Sequence, residues 1–177
     1  MTPVQTARGP IATADLGVVL MHEHVFVLSP EIIANYPEGW GDEAAREADA
    51  VEKLNALKAA GVDTIVDPTV IGLGRYIPRI QRVAAQTDLQ IVVATGVYTY
   101  NDVPMYFHFT GPGTGLGGPQ TMTDLFLRDT TDGLAGSGPR PIHVTVVDAP
   151  GEGPDAPREI SLIVNPVENP TLRQSQH

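Results

Sequence analysis

Apolar positions along the chain follow two rhythms that alternate. From Asp42 to Ala60 they recur at Ala44, Ala48, Val51, Leu54 and Leu57, a spacing that makes one stripe on a helix, with Asp42 as N-cap and Gly61 as stop. From Tyr76 to Gln86 the same rhythm predicts a second helix that Pro78 can open in its first turn, with Ile80, Val83 and Ala84 facing inward. Between and after these helices, Val62 to Asp67 (VDTIVD) and Ile91 to Gly96 (IVVATG) are short continuous apolar runs of the buried-strand type. Strands and helices alternating in short units predict a parallel α/β sheet with right-handed crossovers. In that architecture function sits at the carboxyl ends of the strands.

The flanks fill in around this unit. Val4 to Ile11 reads as a strand-and-turn leader closing the base of the fold, with Gly9-Pro10 as its turn. Ser29 to Gly41 reads as a loop in which Trp40 covers an edge of the core. Val97 to Pro119 is a long irregular segment ending in a glycine-rich run from Gly111 to Gly118, and Thr121 to Leu134 is a further helix with Leu125, Phe126 and Leu134 inside, ended by Gly136. The glycine run lacks the Lys-Ser/Thr of a P-loop and the GxGxxG spacing after a strand, so it is expected to be a flexible loop over a site or a surface loop. Beyond it the character changes: the last 41 residues hold seven of the sixteen prolines, around two apolar runs, Ile142 to Val147 and Ile160 to Val164, that can be strands.

One apolar run is interrupted by chemistry. Gly17 to Leu28 is expected to be a strand, and its centre reads Met21-His22-Glu23-His24-Val25. Successive side chains of a strand point to opposite faces, so His22 and His24 share a face and can grip one metal ion, while Glu23 turns to the other as a structural partner. Asp67, at the end of the next strand, can either support a metal-bound histidine or cap the following turn. Asp49 and Lys53 form an i,i+4 pair on the exposed face of the first helix, and Arg75 and Arg79, near a helix start, are expected to pair with carboxylates local in sequence.

Composition narrows the field. The chain has 177 residues and a formal net charge of −10, with no basic cluster to neutralise phosphates, which excludes nucleic acid and an anionic membrane surface as partners. It has no cysteine, so a metal must be held by histidines and carboxylates. No leader segment and no apolar run of spanning length is evident, and a cytoplasmic location is expected.

The segments GPIATADLGVVLMHEHVF, GVDTIVDPTVIGLGRYIPRI and IVVATGVYTYNDVP together resemble the start of the phosphotriesterase family, including its lactonase branch, within the metal-dependent amidohydrolases, over about residues 4–138. The resemblance implies a TIM (β/α)8 barrel with a two-metal hydrolytic site, with His22 and His24 as its first-strand metal ligands and Tyr98 as the tyrosine beside the substrate. It further implies a divalent cofactor, zinc by preference, and a small-molecule ester, lactone or organophosphate as substrate. The family's bridging lysine, its two later histidines and its late aspartate have no counterpart: the two lysines, Lys53 and Lys58, lie in the first helix. The expectation is therefore the N-terminal part of a barrel, residues 1–138, truncated and joined to a divergent tail, 139–177, as a reading-frame shift would produce. Two functions follow: a metal-dependent hydrolase, or a non-catalytic half-barrel that associates, as a homodimer for example, through exposed strand edges.

Overall fold

The computed structural model describes residues 3–99, 102–119 and 121–134, and the backbone of two strands at 143–149 and 159–165. The chain opens with an antiparallel hairpin, β1 (Val4–Thr6) and β2 (Gly9–Ile11), turned at Gly9, whose φ of 121° only glycine adopts readily. Ala7 N–H donates to the Ile91 carbonyl at 2.7 Å, and the Arg8 guanidinium donates to the carbonyls of Thr87 and Asp88. The leader thus closes the base, as the sequence predicts.

At the centre is a three-stranded parallel sheet of β3 (Val19–Leu20), β4 (Thr64–Asp67) and β5 (Gln90–Val93), in that order. Val19 and Leu20 pair with Thr64 and Ile65, and Thr64 to Asp67 pair in step with Gln90 to Val93. The crossovers carry α2 (Glu43–Ala59) and α3 (Ile77–Ala84), with α1 (Pro30–Asn35) before them and α4 (Met105–Phe109) and α5 (Thr121–Thr131) after. The α/β architecture with parallel β-α units is the expected one. No helix among the described residues is long and apolar enough to cross a membrane.

Alternation along the strands divides the core. Ile65, Ile91 and Val93 join Leu54, Ile77, Ile80, Val83, Ala84, Leu89 and Leu134 on the helix side, while Val66 and Val92 pack with Val4 and Val19 on the other. Val83 and Leu89 are wholly shielded, and burial of such a side chain stabilises by about 1.5–3 kcal/mol. Asp42 caps α2 by accepting from Ala45 N–H at 2.8 Å, and Gly61 at φ 96° turns the chain out of it.

Three expectations need correction. The strand expected over Gly17 to Leu28 is regular only at Val19–Leu20, because beyond Leu20 the backbone keeps isolated bonds to its neighbours, Glu23 N–H to Val66 O and Leu28 N–H to Leu73 O, rather than a ladder. Ser29 to Gly41 is not a plain loop: Pro30 opens α1 and Pro37 opens a 3₁₀ turn, Pro37–Gly39, since proline in a first turn gives up no bond. The inward side of α2 is Glu47, Ala50 and Leu54, with Ala44 and Ala48 exposed, because Glu47 is drawn in by Arg82, donating from Nε at 2.9 Å and from Nη2 to the same carboxylate. Asp49 and Lys53 pair at 2.7 Å as expected.

In the tail, β6 (His143–Ala149) and β7 (Glu159–Asn165) form an antiparallel hairpin, with His143 opposite Asn165. The expected run Ile160 to Val164 falls within β7, and that of Ile142 to Val147 falls within β6 from His143 on, residue 142 lying outside the described residues. Tyr100 and the expected helix stop at Gly136 lie outside the described residues.

Candidate functional site

The two histidines lie just past the end of β3, at the carboxyl edge of the sheet. Glu23 N–H donates to the Val66 carbonyl at 3.0 Å, which holds this stretch beside β4 and turns its two neighbours together. The rings of His22 and His24 meet edge to face with centroids 5.1 Å apart. The expected juxtaposition is present, although the backbone that produces it is irregular. Glu23 itself is exposed, and its contribution to the wall is its backbone N–H.

His24 is anchored from below. Its Nδ1 lies 2.8 Å from the Thr69 hydroxyl and 3.8 Å from Asp67 Oδ1. Asp67 ends β4 with 2 % of its side chain exposed, and its Oδ1 accepts from both the hydroxyl of Thr69, at 2.5 Å, and the Thr69 backbone N–H, at 3.0 Å. Of the two sequence readings of Asp67, the cap of the Asp67-Pro68-Thr69 turn is present, and the same carboxylate reaches His24 through Thr69. Burial pushes the Asp67 carboxyl above the ordinary range, against the pull of the two Thr69 bonds and of His24.

Thr69 is the residue that the sequence reading misses. Its signal is an Asp with a threonine two positions on, the pattern by which a side chain bonds its own backbone after a strand. Beside it a cleft is lined by Phe26, Asp67, Thr69, Gly74, Arg75 and Val93. Arg75 donates from Nη1 to Asp129 Oδ2 at 2.9 Å, and the Thr95 hydroxyl donates to the same oxygen at 2.6 Å, so a buried ion pair ties the segment after β4 to α5 and the hydroxyl ties the end of β5 to it. The carboxylates that pair with Arg75 and Arg79 are close in space but 54 and 36 residues away in sequence. Arg79, which lines the same cleft, lies 5.4, 4.8 and 5.3 Å from the rings of Phe26, Trp40 and Tyr76 while its fork grips Glu43. Trp40 covers the core edge as expected.

Tyr98 sits past β5 on the same edge, 42 % exposed. Its N–H donates to the Ile71 carbonyl at 2.7 Å, and its Cβ and carbonyl crowd Gly72. The glycine-rich loop is closed by its own bonds, Gly111 N–H to Gly117 O at 2.9 Å and the Thr114 hydroxyl to the carbonyls of Phe109 and Gly111.

Two neutral imidazoles in contact at a strand end fit one flank of a divalent cation, to which each could offer a ring nitrogen. Among the described residues no group of three or more His, Asp and Glu side chains is gathered to hold one. Parallel β-α units with paired histidines at the carboxyl edge and a carboxylate beneath them define an α/β protein whose candidate site lies at the carboxyl ends of its strands. Residues 2–149 match the phosphotriesterase family. The chain is 60 % identical over 164 residues to a phosphotriesterase homology protein of Mycobacterium tuberculosis, covering 92 % of this chain and 50 % of that protein. It is 35 % identical over 131 residues to an aryldialkylphosphatase of Saccharolobus solfataricus, 73 % of this chain and 39 % of the relative. Among solved structures, the phosphotriesterase from Mycobacterium tuberculosis superposes with a TM-score of 0.74 at 66 % identity, over 79 % of this chain and 43 % of the other. The chain belongs to the phosphotriesterase family, and it spans about half the length of the curated relatives it matches.

Proposed function

We propose that this chain carries the first-strand metal-binding elements of a hydrolase of the phosphotriesterase and lactonase type, built on the N-terminal part of a (β/α)8 barrel. The observation that carries the reading is the contact of His22 with His24 at the carboxyl edge, with His24 held from beneath by Thr69. His22 and His24 would hold a divalent ion, zinc by preference. Such an ion, when bound, supplies activated water and polarises the ester oxygen. The chain's own residues fix the imidazoles in place, and Tyr98, on the same edge, is proposed to lie along a small ester, lactone or organophosphate. The name of the aryldialkylphosphatase relative supports phosphotriesters as one substrate class.

The division of the chain at about residue 138 belongs to the same proposal. It is supported by the antiparallel pairing of β6 with β7, against the parallel pairing of β3, β4 and β5. The family match itself runs to residue 149 and so includes β6.

The test is hydrolysis of an aryl dialkyl phosphate and of an aliphatic lactone by the purified chain supplied with zinc or cobalt. The reading predicts turnover that chelation abolishes and that His22→Ala and His24→Ala each lower by about 100-fold or more, as loss of a ligand to a catalytic ion should. Absence of turnover together with absence of zinc binding would overturn it.

A further inference from the structure

The Thr69 hydroxyl has one hydrogen and three polar neighbours. They are Asp67 Oδ1 at 2.5 Å, the Phe26 carbonyl at 3.4 Å and His24 Nδ1 at 2.8 Å. The first two can only accept. The Asp67 carboxylate receives the Thr69 backbone N–H at 3.0 Å and the Val25 N–H as well as this hydroxyl, the pattern of an ionised group with no hydrogen to give, and a carbonyl oxygen has none either. The hydroxyl hydrogen therefore goes to one of these oxygens, and the lone pairs left on Oγ1 face the imidazole. To turn the hydrogen toward His24 instead would set two oxygens 2.5 Å apart with nothing between them. With Asp67 ionised, one arrangement satisfies all four groups: His24 donates from Nδ1.

We infer that Thr69, oriented by Asp67, is a positioning residue that locks His24 as the Nδ1–H tautomer and so leaves Nε2 as its sole metal-binding nitrogen. The inference rests on the proposed metal-binding role of His24 only for its consequence, since the tautomer is a property of the chain without any ion. Thr69 is 6 % exposed and Asp67 2 %, so water does not compete for these bonds. His24 keeps 28 % of its side chain exposed. A neutral imidazole free in water populates both tautomers, so a bond that selects one also fixes the ring plane, and outer partners of this kind change metal affinity by about 10–100-fold.

The test is a long-range proton–nitrogen correlation spectrum of the chain labelled with nitrogen-15 in histidine, recorded without metal above the imidazole pKa. The expected result is a pyrrole-like Nδ1 and a pyridine-like Nε2 for His24, assigned by comparison with His24→Gln. A wild-type His24 protonated at Nε2 overturns the inference, and this result does not depend on a folded Thr69 variant. Thr69→Val should release the ring into a tautomer mixture and weaken cobalt binding by about tenfold or more, with Thr69→Ser restoring both. A Thr69→Val spectrum that is folded and unchanged at His24 also overturns it. An Nδ1–H tautomer in a chain that takes up no cobalt upholds the lock and defeats the metal reading, so the two failures are distinct.

Discussion

Thr69 shows how much one side chain can decide when it is shielded and its neighbours can only accept. Gly74 shows the opposite case, in which the missing side chain is the requirement. Its φ is 87°, and a Cβ there would stand 2.7 Å from both the Cβ and the carbonyl oxygen of Leu28, whose own N–H is bonded to the Leu73 carbonyl. The obstacle is backbone, fixed in the wall of the cleft beside Arg75, so it cannot swing away. Gly74→Ala should cost about 2–3 kcal/mol through strain and displacement together. Gly39→Ala, where a Cβ meets open space at an ordinary φ, should be close to neutral in the same denaturant titration. Equal effects of the two substitutions would refute the steric account.

Among the elements, α5 is attached to the sheet by a buried charge pair rather than by an apolar stripe alone. Arg75 and Asp129 are 9 % and 6 % exposed, and Thr95 adds a third bond. Removing one partner leaves an uncompensated buried charge, so Arg75→Met should lower stability by about 3–5 kcal/mol, while Arg75→Met with Asp129→Leu should recover most of the loss. Additive losses in thermal melts of the single and double variants would contradict this. The same pair marks the limit of what the sequence discloses. Helix rhythm and strand runs locate α2, α3, β4 and β5 to within a few residues, because local periodicity reports local structure. The histidine pair is legible too, since two imidazoles inside an apolar run have no packing explanation. Partners 35 to 54 residues apart leave no such local trace: Glu43 with Arg79, Arg75 with Asp129, and Glu47 with Arg82, whose turning-in moves the buried side of α2 away from Ala44 and Ala48. The Thr69 link to His24 spans 45 residues and is invisible for the same reason.

For the molecule as a whole, carboxylates set the response to acid in opposite directions. Glu43, hydrogen-bonded by Arg79 and by the Trp40 indole, is held below the ordinary range, as is Asp63, which accepts from Lys58 and from Val18 N–H. A lowered folded pKa gives stability that is complete above the ordinary carboxylate value of about 4 and is lost as pH falls through the lowered one. Asp67, raised by burial, has the reverse sign: its contribution is present below its ordinary value and lost as pH rises through the raised one. Glu43→Gln should therefore lower the melting temperature at pH 7 and flatten its fall below about pH 4. A wild-type slope retained in the variant would show that the Glu43 network has no part in acid unfolding.

The hairpin that closes the base has a consequence in time. Arg8 finds its acceptors, the carbonyls of Thr87 and Asp88, 79 and 80 residues further along the chain. During synthesis at about 5–20 residues per second, β1 and β2 exist for roughly 4–16 s before the segment they fasten to has been made. Three-residue strands form too little structure to stand alone for that interval. The hairpin is thus secured only after β5 has been made, and the sheet it closes must assemble from β3 through β5 with its base still open.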